Sequence, residues 1–318
     1  MKVSDFDYRL PRELIAQEPL PRRDASRLLV SHLDGRLEHR SFPDVVEHLQ
    51  GRTVYLNDTR VIPARLLLRR LTGGKVEALL VRRLEGLRWH ALLDTPRRLQ
   101  AGELLRVDDR SHARIAAKEG DRWVLEFERE PDLARLGRPP LPPYIRRPAD
   151  DRDLERYQTV YAARDGSIAA PTAGLHFTPE ILARLRTKTV TLHVGVGTFK
   201  PVKVEEVEDH RMEAEYYEIP DPPSGRVAVV GTTACRALET WALTGKTSGW
   251  TEIFIHPPFE FRAVKTLVTN FHLPRSTLLM LVCALAGRER ILAAYEEAIR
   301  ERYRFFSYGD AMLILSEY

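Results

Sequence analysis

The amino-acid sequence predicts an α/β fold, in which an α/β domain with a mainly parallel sheet carries an inserted small antiparallel β-barrel domain. Two observations favour this class: short strand-like runs recur between glycines in residues 63 to 130, and strand-like and helix-like segments alternate after residue 151. The chain has 318 residues, 43% of them hydrophobic, which suffices for one large core or two smaller ones. We expect a discontinuous α/β domain of residues 1–62 and 148–318, with the barrel domain in residues 63–147.

The composition is typical of a folded, reduced protein. Charged residues make up 30% of the chain with both signs mixed, and the net charge of +4 permits a nucleic-acid partner without showing one. Cys235 and Cys283 are far apart, so we expect neither a disulfide framework nor a thiolate metal site. No apolar segment opens the chain, and Leu278–Ala286 is much shorter than the roughly 20 residues that span a bilayer. We therefore expect a cytoplasmic protein that does not enter a membrane.

The first half of the chain predicts one strand and helix followed by the barrel. A helix is expected around Asp44–Leu49 and a strand at Thr53–Asn57. The proline-rich run Pro139–Pro143 indicates a stiff crossover that leads back from the barrel, although a proline-motif ligand is the alternative. The six predicted barrel strands are Ala64–Arg70, Lys75–Arg83, Arg88–Leu93, Glu103–Val107, Ala113–Ala117 and Arg122–Phe127.

After residue 151 the pattern predicts alternating strands and helices. Thr178 is a candidate N-cap, followed by Pro179 at the first helical position, so a helix begins there. A further helix follows Gly231–Thr233 and runs through Thr240. The other predicted elements are strands at Val190–Val194, Arg226–Val230, Glu252–Ile255 and Val264–Thr269, and helices at Ser276–Gly287 and Glu289–Arg302.

Polar residues follow several of these strands, and ligands of α/β sheets bind at the carboxyl ends of strands. We therefore expect the fold to bring together the polar runs Asn57–Arg60, Gly195–Phe199, Gly231–Thr233, Asn270–His272 and Tyr308–Asp310.

Ala169–Phe177 is the most unusual segment of the chain. Its small residues would let a ligand approach the backbone, and His176 can donate or accept a proton near neutral pH. An ordinary turn before the helix at Thr178 explains the spacing equally well.

Two glycine-containing strand ends are candidate binding elements. Gly195 and Gly197 lack the third glycine and the helix of a dinucleotide fingerprint. Gly231–Thr233 lies between a strand and a helix, where backbone N–H groups favour an anion, although threonine capping explains it equally well. The histidines lack the close spacing of a zinc site, so we expect no metal.

The motifs together resemble the S-adenosylmethionine:tRNA ribosyltransferase-isomerase family of queuosine biosynthesis. They occur in the family's order and cover nearly the whole chain. The matching runs are Asp5–Tyr8, Leu14–Gln17, Leu56–Arg60, Leu141–Ile145, Tyr157–Tyr161, Ala169–Phe177, Leu192–Phe199, Val230–Thr233, Thr269–Pro274 and Tyr303–Asp310.

This resemblance implies a reaction in which S-adenosylmethionine donates its ribosyl portion to 7-aminomethyl-7-deazaguanine at the tRNA wobble position. The products are epoxyqueuosine, adenine and methionine, and no cofactor beyond S-adenosylmethionine as co-substrate is implied. The partners are the tRNA and S-adenosylmethionine, and we expect a monomer. Proton transfers are assigned by hypothesis to His176, His272 and Asp310. The expected substrate-binding residues are Asn57, Asp58, Thr59, Arg60, Pro171, Thr172, Ala173, Gly174, His193, Gly195, Gly197, Thr198, Phe199, Gly231, Thr232, Thr233, Asn270 and Tyr308.

The sequence departs from the family's pattern in one motif that bears on the site. The family commonly has Met-His-x-Glu, where this chain has Met212-Glu-Ala-Glu215, so Glu213 stands in the histidine position. Two other functions stay open: an S-adenosylmethionine-dependent RNA methyltransferase, and a non-catalytic RNA-binding protein that uses the barrel. The expected glycine-rich turn of a methyltransferase is missing near the N-terminus, and a binding protein leaves the polar strand ends after residue 170 unexplained.

Overall fold

The computed structural model describes residues 1–195, 197 and 202–316. The chain forms two compact units. The first comprises Met1–Arg60, Pro142–Arg147 and Arg156–Tyr318, and the second comprises Val61–Leu141 and Pro148–Glu155.

The described residues form seventeen strands and seven α-helices. The strands are β1 (Arg27–Ser31), β2 (Leu37–Ser41), β3 (Thr53–Asn57), β4 (Thr59–Val61), β5 (Arg65–Arg70), β6 (Lys75–Arg83), β7 (Arg88–Asp94), β8 (Leu104–Asp108), β9 (Ser111–Glu119), β10 (Arg122–Phe127), β11 (Arg164–Ser167), β12 (Arg186–Leu192), β13 (Glu215–Glu218), β14 (Val227–Val230), β15 (Ser248–Thr251), β16 (Thr266–Asn270) and β17 (Ala311–Leu315). The helices are α1 (Val45–Leu49), α2 (Leu133–Leu136), α3 (Asp151–Arg156), α4 (Pro179–Leu182), α5 (Thr232–Thr244), α6 (Thr277–Ala286) and α7 (Arg288–Arg300).

The first unit is built on a nine-stranded sheet in the order β15-β13-β12-β3-β14-β16-β17-β1-β2. The four central strands β12, β3, β14 and β16 run parallel to one another, and β1 runs parallel to β17. The other four neighbouring pairs are antiparallel. The predicted α/β class is confirmed, and the sheet is mixed rather than mainly parallel. One reason is that the connection from β1 to β2 is too short for a crossover, so it can join only antiparallel strands.

Several elements differ from the sequence prediction. The strand expected at Glu252–Ile255 lies four residues earlier, at β15, where it pairs with β13. The helix that begins at Pro179 has only four residues. Strands β1, β2 and β17 lie outside the predicted set, and together with β16 they complete one side of the sheet.

The sheet of the first unit is covered on both faces. Side chains alternate along β3, so that Tyr55 packs into one core cluster with α5, α6 and α7, while Val54 and Leu56 pack into a second cluster with α1 and α4. This alternation makes a three-layer unit in which only the strand ends and edges remain accessible.

The second unit contains the predicted barrel. Its six strands close in the order β10-β7-β6-β5-β8-β9, and all six neighbouring pairs are antiparallel. The six predicted runs correspond to these six strands. Turn glycines at the predicted breaks, such as Gly73, Gly86 and Gly120, have positive φ angles that other residues rarely adopt.

A buried carboxylate anchors the segment that leads into β16. Glu239 of α5 has no exposed surface, and its two oxygens accept the backbone N–H groups of Arg262, Ala263 and Val264 at 2.8 to 3.0 Å. These three N–H groups lie in a loop and have no neighbouring strand to accept their hydrogen bonds. The Glu239 carboxylate accepts these bonds instead.

We predict that Glu239→Ala lowers the free energy of unfolding by about 2–4 kcal/mol, because three buried N–H groups lose their acceptor. Urea denaturation followed by circular dichroism measures this. Glu296→Ala is the control, since Glu296 is an exposed helical residue of α7, and it should change stability by less than about 0.5 kcal/mol. Equal effects of the two substitutions would contradict the prediction.

Candidate active site

The four parallel strands at the centre of the sheet bring the predicted site residues to one edge, which is formed by the carboxyl ends of these strands. Strands β3, β12, β14 and β16 all end there: β3 ends with Asn57, and the other three are followed by His193, Gly231 and His272. Because β17 is antiparallel to β16, its first residue lies beside Asn270, which places Asp310 at the same edge. Four of the five predicted polar runs follow these parallel strands, and Tyr308–Asp310 reaches the edge from the start of β17.

His176 and Asn270 form the centre of this edge. Asn270 Nδ2 donates to the Phe306 carbonyl at 3.0 Å, which fixes the orientation of the amide. The same nitrogen lies 3.2 Å from His176 Nε2, which therefore accepts, and the ring proton is on Nδ1, 2.8 Å from Ser26 Oγ. Burial lowers the pKa of His176 to about 3, helped by the positive charge of Arg304. The ring is neutral and held at both nitrogens.

Asn270 also has an unused acceptor, and it is one of the residues that line a pocket. Its Oδ1 is buried and has no hydrogen-bond partner among residues 1–195, 197 and 202–316. The pocket encloses about 480 Å³, including the solvent at its mouth. It is lined by Tyr144, Ala169, Ala170, Thr172, Asn270, Phe271, His272, Leu273, Ser276, Leu278, Phe306 and Ser307.

Phe306, which lines this pocket, has a strained backbone. Its φ of 71° lies in the left-handed region that a side chain disfavours. Such conformations persist where the surrounding contacts force them, and they cluster at ligand sites. Here the strain places the Phe306 carbonyl where it holds the Asn270 amide.

His272 follows Asn270 by two residues and lines the same pocket. Its Nε2 lies 2.8 Å from Thr269 Oγ1, and its backbone N–H donates to Tyr295 Oη at 3.0 Å. Burial lowers the pKa of His272 to about 3, so this ring is neutral too. Within the described part of the chain its Nδ1 has no hydrogen bond, which leaves that nitrogen for a ligand.

Asp310 has a different environment. Its carboxylate oxygens accept the backbone N–H groups of Arg27 at 2.9 Å and Arg304 at 2.8 Å. Burial raises the pKa of Asp310, and these two N–H groups oppose the rise. The carboxylate thus ties the start of β1 to the turn before β17. Tyr308 packs edge-on against Tyr157 at 6.0 Å and lines a second pocket that also contains His176, Ser26 and Arg23.

The residues after β3 form a second cluster at this edge. All the amide atoms of Asn57 are used: Nδ2 donates to the Leu192 carbonyl and to Thr233 Oγ1, and Oδ1 accepts the N–H groups of Thr59 and Leu192. Asp58 accepts from Thr191 Oγ1 at 2.6 Å. Thr59 Oγ1 lies 2.8 Å from His193 Nδ1, and Arg60 is exposed and donates to the Ala162 carbonyl. Asn57 is therefore a structural clamp between strands.

A buried ion pair holds the backbone of Gly195, which lies three residues after the end of β12. Glu215 accepts the backbone N–H of Gly195 at 2.8 Å and pairs with Arg236 of α5, and both charged side chains are 5% exposed. Gly197 lies close to Glu213, the residue in the family's histidine position, because a Cβ there would be 3.6 Å from the Glu213 carboxyl carbon. Thr198 and Phe199 of the predicted site lie outside the described residues.

The predicted loop Ala169–Phe177 contains a short 3-10 helix, Thr172–His176, and Pro171 directly precedes it. The predicted site residues Thr172, Ala173 and Gly174 therefore lie in this helix. Gly174 packs so closely that a Cβ would lie 2.0 Å from Tyr161 Oη.

Gly231, which follows β14, lies close to Thr233 and to Ala173 of the predicted loop. Gly231 has a φ of 91°, and a Cβ on it would lie 3.8 Å from the Ala173 side chain. Thr232 and Thr233 open α5 and are buried.

Sequence reasoning missed five residues of this edge, which are Ser26, Tyr144, Ser307, Glu215 and Arg236. Tyr144 and Ser307 lie in runs that matched the family, and Glu215 lies in the motif that departs from it. Ser26 and Arg236 had no local signal, because each acts through a contact with a residue distant in sequence.

The described residues contain neither a membrane-spanning helix nor a metal-binding cluster. No helix there is long and apolar enough to cross a membrane. The same residues contain no group of three or more His, Cys, Asp or Glu side chains arranged to hold a metal ion.

A mixed sheet whose parallel strands end in polar residues beside a pocket, together with a barrel unit, is typical of a ligand-binding α/β protein. The family model described as "Queuosine biosynthesis protein" matches residues 3–314. The chain belongs to this family.

Known relatives match along their full length. The S-adenosylmethionine:tRNA ribosyltransferase-isomerase of Thermotoga maritima is 50% identical over 338 residues, with 99% of this chain and 100% of the relative covered. The protein of the same name from Pelotomaculum thermopropionicum is 52% identical over 344 residues at the same coverage. A crystal structure of S-adenosylmethionine tRNA ribosyltransferase from Thermotoga maritima is 38% identical, covers 98% of this chain and 100% of that chain, and has a TM-score of 0.54.

The neutral histidines predict a pH dependence of stability. In the unfolded chain both imidazoles take up protons below about pH 6.5, whereas in the folded chain their pKa values are lowered to about 3. The unfolded state thus binds more protons between about pH 6.5 and 3, so stability falls as the pH falls through this window.

We predict that His272→Gln reduces this slope by about 1.4 kcal/mol per pH unit at pH 4 to 5, because one proton fewer is taken up on unfolding. Urea denaturation at a series of pH values measures the slope in both proteins. Above about pH 7.5 the two slopes should coincide, since both imidazoles are then neutral in both states. Equal slopes at pH 4 to 5 would contradict a neutral His272.

Proposed function

We propose that this protein transfers the ribosyl portion of S-adenosylmethionine to the aminomethyl group of 7-aminomethyl-7-deazaguanine at the wobble position of tRNA. The transferred sugar is isomerised to give epoxyqueuosine, with release of adenine and methionine. Family membership over residues 3–314 supports this, as do the names of relatives that match over their full length. The observation in the structure that carries the proposal is the buried, unpartnered Oδ1 of Asn270 in the pocket.

The pocket suits a ligand with both apolar and amine groups. Ala169, Ala170 and Phe306 provide an apolar wall, and Asn270 Oδ1 can accept an N–H from the adenine amino group or from the methionine ammonium group. A buried acceptor left unpaired costs about 1–3 kcal/mol, which a bound amine would recover. The pocket therefore discriminates in favour of a ligand that brings a donor to this point.

The neutral imidazoles suit a cationic co-substrate. The sulfonium group of S-adenosylmethionine is positive, and a protonated histidine beside it would repel it. Because burial keeps His272 unprotonated at neutral pH, this residue of the pocket presents a neutral imidazole rather than a positive charge, and His176 behind Asn270 is neutral as well.

The reaction requires a base to remove the acidic proton beside the sulfonium and an acid to protonate the departing adenine. Of the three residues predicted to share these transfers, His272 has a ring nitrogen that is open to the pocket. His176 uses both nitrogens to hold Asn270 and Ser26, and Asp310 uses both oxygens on backbone donors. We assign proton transfer to His272 and positioning to His176 and Asp310.

The second cluster supplies the remaining substrate contacts in this proposal. Asp58 and the exposed Arg60 lie where a ribose hydroxyl or the methionine carboxylate can be bound, and Thr59 orients His193. The backbone of Gly195 is held by Glu215 and can approach the ligand closely because it has no side chain. No cofactor beyond S-adenosylmethionine is needed, and the protein acts as a cytoplasmic monomer.

We predict that His272→Ala lowers kcat for adenine release by about 10²- to 10⁴-fold, the usual contribution of a positioned acid or base. His176→Ala should also abolish turnover, since Asn270 Nδ2 keeps only the Phe306 carbonyl and the buried space of the imidazole is left empty beside it. His39→Ala is the control, because His39 contacts Tyr303 and Glu297 at the β2 edge, and it should leave kcat unchanged. Near-normal turnover of the His272 variant, with its fold intact by circular dichroism, would refute the assignment.

Product analysis distinguishes the three functions that the sequence left open. The protein is incubated with S-adenosylmethionine and tRNA that carries 7-aminomethyl-7-deazaguanine, and small molecules are separated by chromatography. We expect adenine and methionine in equal amounts. S-adenosylhomocysteine would instead indicate a methyltransferase, and tRNA binding without either product would indicate a binding protein.

A further inference from the structure

A stripe of positive charge crosses the outer face of the barrel. Arg69 of β5 lies opposite Lys75 of β6 on one side and opposite Arg106 of β8 on the other. Opposite residues of antiparallel strands point to the same face of a sheet. The neighbours Leu68 and Leu105 are buried inside the barrel, so the three cations point outward. We call Lys75, Arg69 and Arg106 the basic stripe, which spans about 10 Å across two strand spacings of ~4.8 Å.

This arrangement is unfavourable for the barrel itself. Like charges placed directly opposite each other on a sheet are destabilising. Within residues 1–195, 197 and 202–316, the side chains of the basic stripe make no hydrogen bond or ion pair. Other arginines on the barrel unit do have carboxylate partners, namely Arg65 with Glu77, Arg83 with Glu130, Arg114 with Glu126, and Arg135 with Asp108. The three cations of the stripe are therefore adjacent and unpaired among the described residues, whereas these four arginines each face a carboxylate.

The barrel strands lie in a basic part of the same unit. Residues 61–141 contain 17 Lys and Arg against 12 Asp and Glu, a net charge of +5, whereas residues 148–155, the other segment of the unit, have a net charge of −3. The segment at residues 95–98 adjoins the stripe, since Thr95 Oγ1 donates to the Lys75 carbonyl and the Arg70 guanidinium donates to the carbonyls of Arg97 and Arg98. Two further arginines are thus attached to this end of the barrel.

We propose that the basic stripe binds phosphate groups of the RNA backbone. This inference rests on the proposed function, which makes an RNA the substrate, and it assigns part of the binding to named residues of the barrel. A row of unpaired cations is suited to a polyanion, because each phosphate contact releases condensed counterions. The strands β5, β6 and β8 contain no aromatic residue on which a base could stack. The stripe therefore contacts the backbone and adds affinity without reading the sequence.

The test compares two triple variants with equal net charge. The stripe variant is Lys75→Gln/Arg69→Gln/Arg106→Gln. The control variant is Arg83→Gln/Arg114→Gln/Arg135→Gln, which removes three charges from paired positions of the same unit. Binding of tRNA that carries 7-aminomethyl-7-deazaguanine is measured by fluorescence anisotropy at several salt concentrations.

We expect the stripe variant to weaken binding by roughly ten-fold or more and to reduce the slope of log Kd against log salt by about two to three, one for each lost phosphate contact. The control variant should change the slope by less than one. An equal loss in both variants would show a diffuse effect of net charge and overturn the inference, as would wild-type binding by the stripe variant.

Two further measurements distinguish a failure of the stripe proposal from a failure of the proposed reaction. Thermal unfolding of the stripe variant should occur at the wild-type temperature or above, because the substitutions remove like-charge repulsion. The conservative variant Arg69→Lys/Arg106→Lys keeps the charges and should therefore bind tRNA like the wild type.

In adenine-release assays the stripe variant should raise KM for tRNA and leave kcat and KM for S-adenosylmethionine unchanged. If the wild type releases no adenine but the stripe variant still loses tRNA affinity, the proposed reaction fails and the stripe stands. If adenine is released and both variants bind alike, the stripe fails and the reaction stands.

Discussion

The shared direction of four neighbouring strands is the constraint on which the candidate site depends. β12, β3, β14 and β16 all end at one edge, so short segments far apart in sequence meet there. The antiparallel strand β17 starts at the same edge, and β1, parallel to β17, starts there as well. Ser26 and Asp310 are thereby brought beside residues that follow strand ends. Reversing one of the central strands would separate Asn270 from His176 by the length of a strand.

Within that edge, one carbonyl determines the hydrogen bonds of three side chains. The Phe306 carbonyl orients the Asn270 amide, the amide then determines the tautomer of His176, and the imidazole N–H is directed to Ser26. The orientation leaves Asn270 Oδ1 directed away from these partners and without a donor. The strained φ of Phe306 is the cost of placing the carbonyl, on the order of 1–3 kcal/mol for such a conformation. A pocket arranged in this way is organised before the ligand arrives, so binding does not require the polar groups to reorient.

The sequence predicts those features that depend on local patterns. The six barrel strands alternate between buried and exposed residues and are separated by turn glycines, so they are recognisable from the sequence alone. The edge strand β2 and the strand β13, which is next to the other edge, are short and polar, with sequences LEHRS and EYYE. Such sequences do not differ from loop sequences, so only the pairing with neighbouring strands identifies them. The side chains of Glu215 and Arg236 meet from two different elements, and neither residue alone predicts a buried ion pair. Long-range contacts of this kind are determined by topology, which periodicity does not encode.

The distribution of charge is consistent with two ligands of opposite sign. In the proposed reaction the α/β unit binds a sulfonium cation and the RNA is a polyanion. Residues 61–141 have a net charge of +5, and together with residues 148–155 the whole second unit has a net charge of +2, the same as the first unit. His272 lines the pocket and is kept neutral by burial, which removes a positive charge that would oppose the sulfonium. A uniform positive field over both sites would attract the RNA and repel the co-substrate, because Coulomb forces between charges extend over about 8 Å at physiological salt. Unpaired cations on the barrel and a neutral histidine at the pocket satisfy both requirements in one chain.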